Sequence, residues 1–202
     1  MNIQFSNCLN YFGKRILGEL KEVCQCWVAG GCVRDYFSIG YISSDIDLFF
    51  PNDDEYKKAR AYFLDGDTPK AKLIFENENA TKIVRGKQRI DLCRKYFASP
   101  KDTIDAFDFT VACGAVTDKY VITHETFFID LSRKALVINK LPYPISTISR
   151  MQKYIKKGYH ICNGGILEIA KEISKLDMED QKTIEAAIEF YPDGTPKYRS
   201  ID

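Results

Sequence analysis

The spacing of apolar residues along the chain predicts helices that alternate with short strands. Apolar side chains recur every three or four positions over residues 3–23, as in a helix, and the apolar run at 26–29 is typical of a buried strand. Further helices are predicted over 32–39, 52–63 and 100–107, the last two with polar or Ser-Pro starts that favour a helix N-terminus. Further strands are predicted over 45–50, 71–75, 81–85 and 89–93, with a hairpin turn at 86–87, and short strands or extended segments over 109–116, 120–123 and 127–131.

The pattern becomes entirely helical after residue 144. Helices are predicted over 145–157, 165–175 and 179–190, followed by a turn-rich segment that begins at Tyr191. This change divides the chain into a head at 1–140 and a short helical C-terminal region at 141–202. The order of the elements predicts an α/β (α+β) fold, with a mixed sheet flanked by helices.

Composition narrows the class of protein. The 202 residues are 45% hydrophobic and 28% charged, which is ordinary for a globular protein. No apolar run approaches the roughly 20 residues of a membrane helix, and no secretion signal is expected at the start. The seven cysteines are odd in number and scattered, so we expect reduced thiols and a cytoplasmic protein. With two histidines and no Cys-x-x-Cys pair, a zinc site is disfavoured.

Three acids are the candidates for catalysis and metal binding. Asp45 and Asp47 are two positions apart on a predicted strand, so their side chains share one face. Nucleotidyl transfer needs such carboxylates to hold divalent metal and, for one of them, to draw the proton from the attacking hydroxyl. Asp91, on another predicted strand, is the candidate third ligand. The alternatives are a surface turn with helix caps at 43–45, and an ion pair of Asp91 with a neighbouring arginine.

The glycine pair that precedes the helix at 32–39 is a candidate phosphate site. Gly30 and Gly31 allow the backbone to approach a phosphate closely, and the N-terminus of the next helix attracts an anion. Arg34, one turn into that helix, is a candidate phosphate ligand. Its alternative is a structural pair with Asp35.

The helix predicted at 145–157 has an apolar side and a basic side. Ile148, Met151 and Ile155 are predicted to face the core. On the opposite side lie Arg150, Lys153 and Lys157. These cations form either a solvated face or a guide for triphosphate or nucleic acid.

Three motifs together resemble a known family. Gly30-Gly-Cys-Val-Arg-Asp35, Asp45-Ile-Asp-Leu48 and Phe107-Asp-Phe-Thr-Val-Ala112 are similar, in order and spacing, to the head domain of the class II tRNA nucleotidyltransferase and poly(A) polymerase family. That family belongs to the DNA polymerase β superfamily. The compact layout also resembles small head-only proteins of phage genomes.

The resemblance implies an activity and a set of partners. It implies two Mg²⁺ ions held by Asp45 and Asp47, and transfer of a nucleoside monophosphate from an NTP to an acceptor hydroxyl, on RNA or a tRNA-like 3′ end. Gly30, Gly31 and Arg34 would hold the triphosphate, and Asp108 would approach the ribose. By the same resemblance, an Asp in the segment Phe128-Ile-Asp-Leu131 would help to hold the head to the neck.

The chain also departs from the family pattern. Ala106 and Phe107 occupy the places of two arginines, Ala112 stands where Asn is usual, and 143–147 lacks the acids of the family's base-choosing template. Ordered addition of C and A is therefore not expected. Two alternatives remain: a degenerate module that binds nucleotide or nucleic acid without chemistry, and an NTP transferase that acts on a protein or a small molecule.

Overall fold

A seven-stranded mixed sheet organises the part of the chain that the structure, a computed structural model, describes: residues 3–66, 69–177 and 179. The strands are β1 Trp27–Ala29, β2 Ile46–Phe49, β3 Lys72–Glu76, β4 Ala80–Arg85, β5 Gln88–Cys93, β6 Gly114–Val116 and β7 Val121–Thr123. They lie in the order β3-β4-β5-β2-β1-β6-β7. Strands β2 and β5 run parallel, and the other neighbouring pairs run antiparallel. The predicted mixed α/β fold is confirmed.

Helices pack against both faces of this sheet. Their bounds are α1 Ile3–Phe12, which continues through a π-helical turn at Gly13–Leu17 into α2 Gly18–Leu20, then α3 Gly31–Ile39, α4 Asp53–Leu64, α5 Pro100–Asp105, α6 Phe127–Ser132, α7 Pro144–Lys156 and α8 Asn163–Ile173. The caps follow from the sequence. The Asn52 side chain accepts a hydrogen bond from the first turn of α4, and Ser99 caps α5 in front of Pro100.

The two faces of β2 have different roles. Ile46 and Leu48 point into the main core, which also contains Phe12, Phe63 and Ile90. Because side chains alternate along a strand, Asp47 points to the opposite face. On that side a second apolar cluster contains Trp27, whose indole N–H donates to Thr103 Oγ1 at 2.9 Å. The acid thus lies on a face supported by packed aromatic residues.

Two predicted strands have a different structure. The segment predicted as a strand at 127–131 is helix α6, because Phe127 and Leu131, four residues apart, both point into one apolar cluster. The strand predicted over 109–116 is interrupted by a 3₁₀ turn at Thr110–Ala112, so only its end forms β6. The helix predicted to reach residue 107 ends at Asp105.

The buried face of α7 also differs from the prediction. Thr147 is fully buried and Tyr154 packs into the cluster around Phe109, whereas Ile155 is 47% exposed. The inward face therefore runs through positions 147, 151 and 154, and the prediction that Ile155 faces the core is wrong. The helix predicted at 179–190 and the tail from 191 lie outside the described residues. The division at residue 140 stays a prediction.

Candidate active site

Asp47 and Asp91 are neighbours on the two parallel strands at the centre of the sheet. Asp47 of β2 is in register with Asp91 of β5, and with Ala29 of β1 on its other side. Residues paired across strands point to the same face, and Asp45, two positions before Asp47, shares it. Asp91 therefore lies next to Asp47 in the sheet. The roles of the three acids as catalysts and metal ligands stay predictions.

These acids perturb one another. Burial raises the pKa of Asp47 to about 7, and the negative charges of Asp91 and Asp45 act in the same direction, whereas Lys82 opposes them. Burial and the two neighbouring acids therefore disfavour the ionised form of Asp47. A cation bound there would relieve this repulsion.

Lys82 is a member of this site that the sequence analysis missed. It lies on β4 directly opposite Asp91, and its ammonium donates to Asp91 Oδ2 in an ion pair. Although burial favours the neutral amine, the hydrogen bond and charge of Asp91, with the charges of Asp45 and Asp47, raise the pKa of Lys82. Within the described part of the chain, no three His, Cys, Asp or Glu side chains are grouped closely enough to hold a metal ion.

The turn at Gly30 has a conformation that glycine alone adopts readily. Its φ is +88° and its ψ is −135°. A Cβ atom there would lie 3.7 Å from both Asp47 Oδ2 and the Phe107 ring, so space is available and the restriction is conformational. Gly30 donates to Gly114 O at 3.0 Å, and its own carbonyl accepts from Arg34 N at 3.1 Å, which starts α3. The first N–H groups of α3 thus begin beside Asp47.

Arg34 lies next to the glycine pair but is engaged by an acid. Its side chain is 4% exposed, and its Nε donates to Asp35 Oδ1 at 3.0 Å. The guanidinium also stacks 4.7 Å from the centre of the Tyr154 ring. This is the structural pair that the sequence left as the alternative for Arg34. The guanidinium nevertheless remains close to the turn, because a Cβ atom on Gly31 would lie 3.6 Å from its Nη2.

Ser44 is a second member of the site that the sequence analysis missed. Its Oγ would lie 3.6 Å from a Cβ atom on Gly31. Within the described ranges, it is the one buried side-chain oxygen or nitrogen that lacks a hydrogen-bond partner. An unsatisfied buried hydroxyl is costly unless something else binds it. Its position beside the start of α3 makes it a candidate donor to a bound anion.

A cleft of about 360 Å³ lies between the Gly30 turn, Asp47 and α7. Its volume is in the range of small-molecule sites. Its walls are formed by Gly30, Gly31, Asp47, Phe49, Lys95, Ala106, Phe107, Asp108, Ala112, Pro142, Tyr143, Arg150 and Tyr154. Arg150 crosses the cleft and forms an ion pair with the buried Asp108. Lys153 is exposed on α7 and is not part of these walls.

Buried hydrogen bonds hold the segment that follows Asp108. Thr110 Oγ1 donates to Asp130 Oδ2 at 2.7 Å, and Thr126 Oγ1 donates to the same oxygen at 2.6 Å. Asp130 is 6% exposed and lies on α6. This carboxylate therefore ties the Asp108 segment to α6, next to the cluster on which α7 packs.

The sequence of this fold matches one protein family over most of its head. Residues 3–134 match the model of the Gabija anti-defense 2 family. The chain belongs to this family. A relative, Gabija anti-defense 2 of Bacillus phage SPbetaL7, is 27% identical over 164 residues, or 79% of this chain and 40% of the relative. This family member thus spans about two fifths of that relative's length.

Solved structures of CCA-adding enzymes have a similar fold. The Thermotoga maritima CCA-adding enzyme complexed with tRNA aligns with a TM-score of 0.55 and 21% identity, over 84% of this chain and 41% of that one. The Bacillus stearothermophilus enzyme in complex with CTP aligns with a TM-score of 0.54 and 16% identity, over 92% of this chain and 48% of that one. This Gabija anti-defense 2 family member therefore has the fold of a nucleotidyltransferase head. Membership of the poly(A) polymerase family stays a prediction.

The cysteines and the helices of this family member bear on its thiol chemistry and on membrane insertion. All seven cysteines lie in the described residues and none forms a disulfide. In residues 3–66, 69–177 and 179, every helix is too short or too polar to cross a bilayer.

Proposed function

We propose that this chain is a magnesium-dependent nucleotidyltransferase that moves a nucleoside monophosphate from an NTP to a hydroxyl acceptor on RNA. The position of Asp47 carries the proposal, because its carboxylate lies beside the Gly30 turn. A Cβ atom on Gly30 would lie 3.7 Å from Asp47 Oδ2. Phosphates held at the start of α3 would therefore meet the acid that would hold the metal.

The donor groups at this position fit a divalent cation. Asp45 and Asp47 offer the carboxylate oxygens that magnesium prefers, and phosphate oxygens of the substrate would complete the coordination. Burial, with the charges of Asp91 and Asp45, raises the pKa of Asp47, so a bound cation would favour its ionised form. Magnesium, when bound, neutralises charge on the phosphates that react.

The chain's own residues would bind and orient the triphosphate. The N–H groups in the first turn of α3 and the unpartnered Ser44 hydroxyl are donors on one side of the turn. Arg34 adds positive charge next to Gly31, although its ion pair with Asp35 neutralises part of that charge. In the cleft, Phe107 packs 5.8 Å from Phe49 and offers an apolar wall to a base or sugar.

The proposed acceptor is RNA. Arg150 and Lys153 lie on α7 and Lys157 follows its last residue. Arg150 lines the cleft, and the three cations suit a phosphate backbone. One structural neighbour, the Thermotoga maritima enzyme, is complexed with tRNA. Because Ala106 and Phe107 replace two expected arginines, the proposal does not extend to ordered addition of C and A.

Label transfer tests this proposal. The protein is incubated with magnesium, total RNA and each of the four α-³²P-labelled NTPs in turn, and RNA is separated from free nucleotide. We expect label in RNA with the wild type, and a loss of at least about 100-fold with Asp45→Asn or Asp47→Asn. Asp118→Asn, at an exposed acid of the β6–β7 turn, is the matched control and should retain activity. Equal labelling by all variants would refute the proposal.

The family match supports a biological setting for this chemistry. We propose that the reaction helps a phage to overcome the defence after which the Gabija anti-defense 2 family is named. Bacteria with that defence are infected in the presence of the wild-type chain or of Asp47→Asn. Plaques with the wild type and none with the variant are expected. Equal plaque numbers with the wild type and with Asp47→Asn would show that overcoming the defence does not depend on this acid.

A nucleotide-binding module without chemistry is the second candidate. Two ion pairs favour it, because Arg150 is bound to Asp108 in the cleft and Lys82 is bound to Asp91. For such a module, calorimetry should give the same NTP affinity with magnesium and with EDTA. A nucleotidyltransferase should bind NTP more weakly in EDTA.

A further inference from the structure

Lys82 occupies a place where the site would otherwise present a third free carboxylate. The hairpin of β4 and β5 sets Lys82 directly opposite Asp91, and Asp91 is in turn beside Asp47. The three side chains form one row on the same face of the sheet. The acid site therefore contains a cationic side chain of the protein itself, the Lys82 ammonium.

The ion pair is held in place by its surroundings. The Asp91 side chain is 12% exposed, and that of Lys82 is 44% exposed. The Lys82 ammonium thus covers Asp91 Oδ2 on the partly open side of the sheet. A metal ion would have to displace the Lys82 ammonium before it could bind Asp91 Oδ2.

We propose that Lys82 is a positioning residue that withholds Asp91 from the divalent cation, so that the cation binds to Asp45 and Asp47 alone. The inference rests on the metal site of the proposed function. Lys82 is paired with Asp91, which leaves Asp45 and Asp47 as the acids of the site that a divalent cation can approach directly. The cation concentration that fills the site is consequently higher than it would be without the lysine.

Metal affinity tests the inference without any substrate. Mn²⁺ is titrated by calorimetry into metal-free wild type, Lys82→Met, Lys82→Arg and Lys87→Met. Lys82→Met should bind Mn²⁺ about tenfold more tightly, because Asp91 is released and the repelling ammonium is gone. Lys82→Arg keeps the charge and should resemble the wild type. Lys87→Met removes an exposed lysine from the adjoining hairpin turn and should also resemble it.

A double variant assigns the gain to Asp91. Asp91→Asn combined with Lys82→Met should return Mn²⁺ affinity to within about threefold of the wild type, because the cation again has only the acid pair. Where Lys82→Met fails to fold, as judged by circular dichroism, Lys82→Gln takes its place. Unchanged or weaker binding by the lysine variants would overturn the inference, as would an absence of Mn²⁺ binding throughout. Failure of label transfer to RNA, with these affinities as predicted, would overturn only the proposed function.

Discussion

Neutralising Asp47 should stabilise the metal-free protein, and more so as the pH rises. Burial and the neighbouring acids raise the pKa of Asp47 from an ordinary 3.8 to about 7. The unfolded chain therefore loses this proton at lower pH than the folded protein does. Ionisation of Asp47 thus costs stability, beginning above pH 3.8 and reaching its full cost above pH 7.

The size of the effect follows from the two pKa values. Each pKa unit corresponds to about 1.4 kcal/mol, so the cost is about 2 kcal/mol at pH 5 and about 4 kcal/mol at pH 8. Asp47→Asn removes the charge and keeps a similar shape. It should raise the free energy of unfolding by up to these amounts, as expected for a functional residue that reduces stability.

Urea unfolding in EDTA measures this difference. Trp27, the single tryptophan, is 1% exposed and reports the transition by its fluorescence. Wild type, Asp47→Asn and the exposed-acid control Asp118→Asn are compared at pH 5 and pH 8. The free energy of unfolding of the control should differ from that of the wild type by less than about 0.5 kcal/mol at both pH values. A stabilisation by Asp47→Asn that is absent, or equal at pH 5 and pH 8, would refute the electrostatic account of the site.

Three further substitutions test the turn, the packing and the hydrogen bonds that hold the site in place, by the same urea assay. Gly30→Ala should cost about 1–3 kcal/mol because of its backbone conformation, and wild-type stability would show that the φ of +88° is not required. Trp27→Phe should cost about 1–3 kcal/mol, since it removes the bond to Thr103 and leaves a gap; a cost below about 0.5 kcal/mol would contradict this packing. Asp130→Ala should cost about 3 kcal/mol, because two threonine hydroxyls lose their acceptor, and a neutral result would exclude Asp130 as the tie to α6.

The parts of the site that depend on local spacing were predictable from the sequence. Alternation along a strand sets Asp45 and Asp47 on one face. The turn at 86–87 also fixes the register of its hairpin, so counting outward from it sets Lys82 opposite Asp91. That lysine was therefore within reach of sequence reasoning.

Other features depend on which neighbour a side chain meets in three dimensions. Arg34 was open to two interpretations, and only the folded structure shows Asp35 and the Tyr154 ring around it. The wheel of α7 separates apolar from basic positions, but it cannot show that Tyr154 packs inward while Ile155 is exposed. Similarly, Phe127 and Leu131 suit a strand or a helix until the cluster that receives both is known.

The central claim is that the acids beside the Gly30 turn transfer a nucleotidyl group. The most direct measurement compares RNA labelling from α-³²P-NTP and γ-³²P-NTP, with pyrophosphate release counted in the same reaction. The account predicts label from the α position alone, one pyrophosphate for each nucleotide added, and loss of both with Asp47→Asn. Label from the γ position, or incorporation by Asp47→Asn equal to that of the wild type, would contradict it.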